Sequence, residues 1–120
     1  MIYCVCGFPA AGTDILYQML SGSVKGIKFY DKELSALSVI SSNEDCCTHK
    51  PEDIFKCDDI TDRTQVQFIV VIRDPRDILS SETFLAEHKN KHGLLDYYYQ
   101  FFAVPDPVIV RYENLVLDPN

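Results

Sequence analysis

The chain has 120 residues, 47% of them hydrophobic, and a formal net charge of −7. That length makes a single domain, residues 1–120, with enough apolar material for a core and no room for a second. The acidic balance excludes a broad nucleic-acid or anionic-membrane surface, which needs a basic face, and no apolar run approaches the roughly 20 residues of a membrane span.

Met1 leads directly into an apolar run, so no signal peptide is expected. The five cysteines form no CxxC pair and no Cys/His set at zinc spacing. Reduced, packed thiols in a cytoplasmic protein are the expectation, with no metal.

Ile2 to Cys6 predicts a short buried strand, and Gly7 to Gly12 a turn with glycine at each end. Thr13 to Leu20 then places Ile15, Leu16, Met19 and Leu20 at helical spacing. Strand, glycine-bounded turn and helix in that order make an anion site. The helix start offers unpaired N–H groups, and small loop residues let a phosphate come close. The two glycines have the separation of a nucleotide P-loop, but Thr13 stands at its Lys position and Asp14 at its magnesium-binding hydroxyl. The shape of a phosphate loop is kept without the machinery of an NTPase. The plainer alternative is a βα turn that happens to hold two glycines.

After a break at Ser21 to Ser23 and Gly26, Ile27 to Tyr30 reads as a short strand or loop. Asp31 to Ile40 predicts a helix capped by Asp31, with Leu34, Leu37 and Ile40 on one face. Cys46 to His49 reads as a short extended piece ended by Lys50-Pro51. Pro51 to Phe55 starts a short helix, and Cys57 to Arg63 reads as a charged connector. Gln65 to Ile72 is the clearest strand. Its run Phe68 to Ile72 is apolar without alternation, as in a strand buried on both faces of a parallel sheet. Asp74, Pro75 and Asp77 suit the cap, first position and reciprocal capping position of a helix running to about His88. Leu94 to Val104 predicts an aromatic-rich helix, ended by Pro105 and Pro107, and Val108 to Val110 a third buried strand.

Strands alternating with helices predict an α/β fold, layered around a parallel sheet. Ligands of such sheets sit at the carboxyl ends of the strands, where the Gly7 turn, Arg73 and Arg111 fall. The bland readings stand beside these. Arg73 to Asp77 serves equally as a capped helix start, and Ser81 as an exposed helix serine. Tyr97 to Phe102 reads as core, and Arg111 with Glu113 as an ion pair or helix start.

Four segments together resemble the sulfotransferase family that uses 3′-phosphoadenosine 5′-phosphosulfate (PAPS). GFPAAGTDIL is similar to its 5′-phosphosulfate loop, and THKP around His49 to the segment of its catalytic histidine. VVIRDPRDILSS is similar to its 3′-phosphate segment, with Ser81 eight positions after Arg73, and RYENLVLDP to its Arg/Lys-Tyr-Glu segment. The four occur in family order. The resemblance implies a P-loop NTPase-like, three-layer sulfotransferase fold. It implies sulfuryl transfer from PAPS to a hydroxyl or amine on a small molecule or glycan, without a metal.

By the same resemblance Pro9, Ala10, Ala11, Gly12, Thr13 and Asp14 form the cofactor loop, with Gly12 and Thr13 on the 5′-phosphate. Arg73 and Ser81 hold the 3′-phosphate, and His49 takes the acceptor's proton. The chemistry suits the residue types. A guanidinium gives phosphate a forked pair of hydrogen bonds, and a histidine's reference pKa suits a base near neutral pH.

The chain also departs from the family. Ala10 replaces a cation that stabilises the leaving oxygen, and Asp14 replaces a Thr or Ser. The loop thereby loses a positive charge and gains a negative one. The usual aromatic after the loop is Ile15, and the chain ends at Asn120, before the family's glycine-rich, lysine-bearing C-terminal segment. A degenerate relative, binding nucleotide phosphate weakly or serving as an interaction domain, is therefore the rival expectation. A small-molecule kinase comes third, opposed by the missing Lys-Ser/Thr pair.

Overall fold

The structure, a computed structural model, describes residues 1–8, 11–41, 44–74, 76–77 and 94–117. Its centre is the first apolar run. β1 (Ile2–Gly7) pairs in parallel with a strand on each side, which is why Cys4, Val5 and Cys6 are fully buried. The five strands form one all-parallel sheet in the order β2-β3-β1-β4-β5. The other members are β2 (Lys28–Phe29), β3 (Cys46–His49), β4 (Val66–Ile72) and β5 (Val108–Arg111). The helices are α1 (Thr13–Ser23), α2 (Cys57–Arg63), α3 (Leu94–Ala103) and α4 (Tyr112–Leu117), with 3-10 turns at Ala36–Val39 and Pro51–Lys56.

Side chains alternate between the two faces of a strand, so neighbours of β1 report what covers each face. Tyr3 and Cys47 face α1, lining an apolar recess with Leu20 and Val24. Cys4 points the other way and donates to Asp53 in the second 3-10 turn at 3.6 Å. Phe55 of that turn packs edge-on against Tyr97 of α3, with ring centroids 4.7 Å apart. Helical segments therefore cover both faces. The chain fills the β2-β3 half of the sheet before crossing to β4 and β5. The reversal of direction beside β1 places a crevice at its carboxyl end.

The short strand read in Ile27 to Tyr30 and the extended piece Cys46 to His49 both join the sheet, which has five strands among the described residues. Three expectations are corrected. The helix expected over Asp31 to Ile40 is absent: Leu34 forms an antiparallel bridge with His49, and only the 3-10 turn Ala36–Val39 follows. Ser35, not Asp31, is its cap, accepting from the Leu37 N–H at 3.2 Å. The connector Cys57 to Arg63 is the helix α2. Ile54, Cys57 and Ile60 recur at a three-residue spacing and are all buried, so the helix continues the 3-10 turn before it. Finally, β5 is not a buried strand. Among the described residues β4 is its one partner, and Val108 and Ile109 remain 50% and 49% exposed.

All five cysteines are buried free thiols. The helix expected after Asp74 is seen at Arg76 and Asp77, where the Arg76 N–H donates to Asp74 Oδ1 at 2.9 Å. The rest of the expected span, including Pro75 and His88, lies outside the described residues. Among the described residues no helix is long and apolar enough to cross a membrane.

Candidate functional site

The turn after β1 is shaped by two glycines with different constraints. Gly7 has φ +140°, and a Cβ there would lie 2.3 Å from the Val71 carbonyl oxygen on β4. Gly12 caps α1 in the left-handed region, at φ +92°. A Cβ on Gly12 would meet the Tyr112 ring at 2.8 Å. Between them the Phe8 N–H donates to the Val71 carbonyl at 3.2 Å and the Ala11 N–H to the Phe8 carbonyl at 3.3 Å. Thr13 and Ala11 are buried.

His49 ends β3, and its register partner on β1 is Val5. This pairing carries the imidazole to the same sheet end as the glycine turn. The residue is 5% exposed. Its Nε2 lies 3.1 Å from Oδ1 of Asp14 in the first turn of α1, and its face stacks on Tyr17 one turn further, with centroids 3.9 Å apart. An ionised carboxylate only accepts, so Nε2 carries the proton in this contact. Nδ1 is buried and has no hydrogen-bond partner among the described residues. Tyr17 is itself pinned: its hydroxyl accepts from the Tyr30 N–H, and the Cys47 and Tyr30 carbonyls lie 3.1 and 3.2 Å away as acceptors. Burial is the main cause that raises the Tyr17 phenol above its ordinary value, so it stays neutral around neutral pH. A cavity of about 490 Å³ opens over this group, bounded by Asp14, Tyr17, Tyr30 and His49 among others.

Arg73 follows β4, on the other side of β1. Its guanidinium lies over the Tyr112 ring, 4.2 Å from the centroid, a cation–π arrangement that orients the fork. The same ring closes on Gly12, so Tyr112 is the shared neighbour of the glycine turn and Arg73. A second cavity, about 600 Å³, is lined by Arg73, Asp74, Tyr98, Arg111 and Glu113. Glu113 here accepts from the Asp74 N–H at 3.2 Å. Asp74 also pairs with Arg76 at 2.9 Å, and hydrogen bonds from Arg76 hold its carboxyl below the ordinary value.

Of the site residues expected from sequence, Ala11, Gly12, Thr13, Asp14, His49 and Arg73 fall at the carboxyl ends of β3, β1 and β4, three adjacent strands. Pro9, Ala10 and Ser81 lie outside the described residues. Sequence reasoning missed Tyr17 and Tyr112. Tyr17 stands one helical turn after Asp14, a spacing that puts both on one face. Tyr112 stands in the RYENLVLDP segment, but nothing local places it against Gly12 and Arg73, because those partners are distant in sequence. Reasoning from sequence also missed Asp53, a fully buried carboxylate accepting from Ser35 Oγ at 2.6 Å and the Ala36 N–H at 2.8 Å. That group ties the first 3-10 turn to the second and is structural.

Cys4, Cys47 and Cys57 are held as neutral thiols. Burial pushes Cys47 and Cys57 up to about 12, and the hydrogen bond between Cys4 and Cys6, with burial, raises Cys4 well above its ordinary value. No protein-family model matches the chain, and no curated protein matches it.

Proposed function

We propose that this chain is a P-loop-like sulfotransferase domain. In this reading it moves a sulfuryl group from PAPS to a hydroxyl or amine acceptor, a small molecule or glycan, with His49 as general base. The observation that carries the reading is the convergence on three adjacent strand ends. A buried histidine ends β3, a glycine-bounded turn ends β1 and an arginine follows β4, with α1 starting between them.

The described residues fit the nucleotide in part. Gly12 and the buried Thr13 offer the backbone start of an eleven-residue helix to the 5′-phosphate, and Arg73 presents an oriented guanidinium to the 3′-phosphate. Asp14 opposes the fit by placing a carboxylate in that first turn. The nucleotide supplies an activated sulfuryl group whose bond to the phosphate oxygen breaks as the acceptor oxygen or nitrogen bonds to sulfur. What the protein does is hold phosphates, exclude water and remove a proton. The acceptor displaces the Asp14 carboxylate, the imidazole proton moves to Nδ1, and the freed Nε2 takes the acceptor's proton. Five buried thiols suit a reducing compartment such as the cytoplasm.

A second reading has its own observation. The Asp14 carboxylate occupies Nε2 of the base and adds negative charge beside the phosphate loop, as in a relative that has lost turnover. Calorimetric titration with 3′-phosphoadenosine 5′-phosphate separates the two. Micromolar binding lost in Arg73→Ala, with PAPS-dependent transfer lost in His49→Ala, supports the enzyme. Binding without transfer supports the second reading, and no binding by the wild type rejects the nucleotide site.

A further inference from the structure

A carboxylate that assists a histidine base holds the ring nitrogen turned away from the substrate, and so leaves the other nitrogen open. His49 has the reverse arrangement. Its contact with Asp14, at 3.1 Å, is made by Nε2, while Nδ1 is buried with no hydrogen-bond partner among the described residues. The neutral ring therefore carries its proton on Nε2, where the carboxylate accepts it, and keeps its lone pair on the buried nitrogen. Moving that proton to Nδ1 gives up a bond to a carboxylate and leaves a buried N–H without an acceptor. Asp14 and His49 both line the cavity at this end of the sheet, yet in this state neither nitrogen can take a proton from a molecule inside it.

The two partners differ in freedom. The His49 backbone is held between Val5 on β1 and Leu34, its antiparallel bridge partner. The ring stacks at 3.9 Å on Tyr17, whose hydroxyl is tied to backbone groups of Tyr30 and Cys47. Asp14 has no such hold. Its side chain is 75% exposed in the first turn of α1, and its one hydrogen bond among the described residues is the one to His49. The moving part of this contact is the aspartate.

We propose that the Asp14–His49 contact is an autoinhibitory latch. The Asp14 carboxylate shuts Nε2 of His49 in the free protein, and rotation of that one side chain into solvent opens it. Asp14 is thus a positioning residue, acting through the tautomer of His49. That the opened nitrogen serves as the base of sulfuryl transfer rests on the reading above; that Asp14 shuts it does not. The latch also differs from a loss of turnover, because a single substitution at an exposed position releases it.

The test is the rate at which diethyl pyrocarbonate modifies His49, read by peptide mass spectrometry at neutral pH, with His88 and His92 in the same sample as internal references. The Nε2 lone pair attacks a carbonyl carbon of the reagent and monoethyl carbonate leaves, so reaction at Nε2 needs that nitrogen unprotonated and uncovered. An ion pair with one exposed partner is worth little, so Asp14→Ala is expected to speed modification of His49 by at least about fivefold. Ile15→Ala, at the next and also exposed position of the same turn, is expected to leave it slow. Long-range proton–nitrogen NMR spectra should show the wild-type ring protonated on Nε2. Unchanged melts establish that both variants are folded. Equal rates in wild type and Asp14→Ala, an equal gain in Ile15→Ala, or a wild-type ring protonated on Nδ1 overturns the latch. With saturating PAPS and para-nitrophenol as the acceptor probe, Asp14→Ala should also raise turnover. Unchanged turnover in a variant whose His49 has become reactive overturns the inhibitory role. No turnover in either protein rejects the sulfuryl reading, while the reagent still decides whether Asp14 shuts the nitrogen.

Discussion

Nε2 of His49 and Oδ1 of Asp14 lie 3.1 Å apart, joining the end of β3 to the first turn of the helix that follows β1. The contact is lopsided, because the histidine side chain is 7% exposed and the aspartate 75%. Replacing Asp14 by Ser removes a negative charge from the helix start and frees Nε2. A charge near a helix terminus is worth about 0.3–1 kcal/mol, so affinity for 3′-phosphoadenosine 5′-phosphate should rise about two- to fivefold in Asp14→Ser. Unchanged or weaker binding by calorimetry would mean that Asp14 does not face the phosphate.

The two loop glycines should respond differently to alanine. At Gly7 the new Cβ meets a carbonyl oxygen of β4 at 2.3 Å, and strand backbone cannot step aside. Gly7→Ala is expected to cost at least about 2 kcal/mol in urea unfolding. At Gly12 the obstacle is the Tyr112 ring, a side chain that can rotate. Gly12→Ala should cost about 1–2 kcal/mol, mostly the left-handed backbone penalty. A larger loss at Gly12 than at Gly7 would contradict this geometry.

Asp53 offers a stability test independent of function. Asp53→Ala leaves the Ser35 hydroxyl and the Ala36 N–H without their acceptor inside the fold. A loss of about 2–4 kcal/mol is expected, with Asp53→Asn milder because its amide oxygen still accepts. A shift in the urea midpoint with an unchanged slope would assign the effect to stability alone. A melt indistinguishable from wild type in Asp53→Ala would exclude the role.

Cys47 and Cys57 make stability fall in alkali. Their folded values stand near 12, against about 8.5 in an unfolded chain. The unfolded state therefore sheds these protons first. The stabilisation is fully present below about 8.5 and is lost as pH rises toward 12. Urea midpoints should decline between pH 8 and pH 10. Native thiols should resist alkylation at pH 8 and react once urea is added. Rapid alkylation of the native protein at pH 8 would show that these thiols are not buried.

Local patterns in the sequence determined a good part of this protein. The apolar runs at Ile2–Cys6 and Phe68–Ile72, the glycine pair and the aromatic helix announce parallel α/β layers. They do so because burial on both faces, backbone freedom and helical periodicity are properties of neighbouring residues. The ends of the strand runs also placed Gly12, Thr13, His49 and Arg73 at the carboxyl end of the sheet.

Tertiary structure decided the rest. Asp31 to Ile40 has a helical period, yet Leu34 is drawn into a bridge with His49 and Ala36 into a bond with Asp53. Long-range pairing outweighed a propensity worth tenths of a kcal/mol per residue, on the order of 0.5. Val108 and Ile109 look like core in isolation, but a strand with one neighbour stays half exposed. The contacts of His49 with Asp14 and Tyr17, and of Arg73 with Tyr112, bring together residues 32 to 39 positions apart. Strand order set those meetings, and strand order is chosen by packing the whole chain at once.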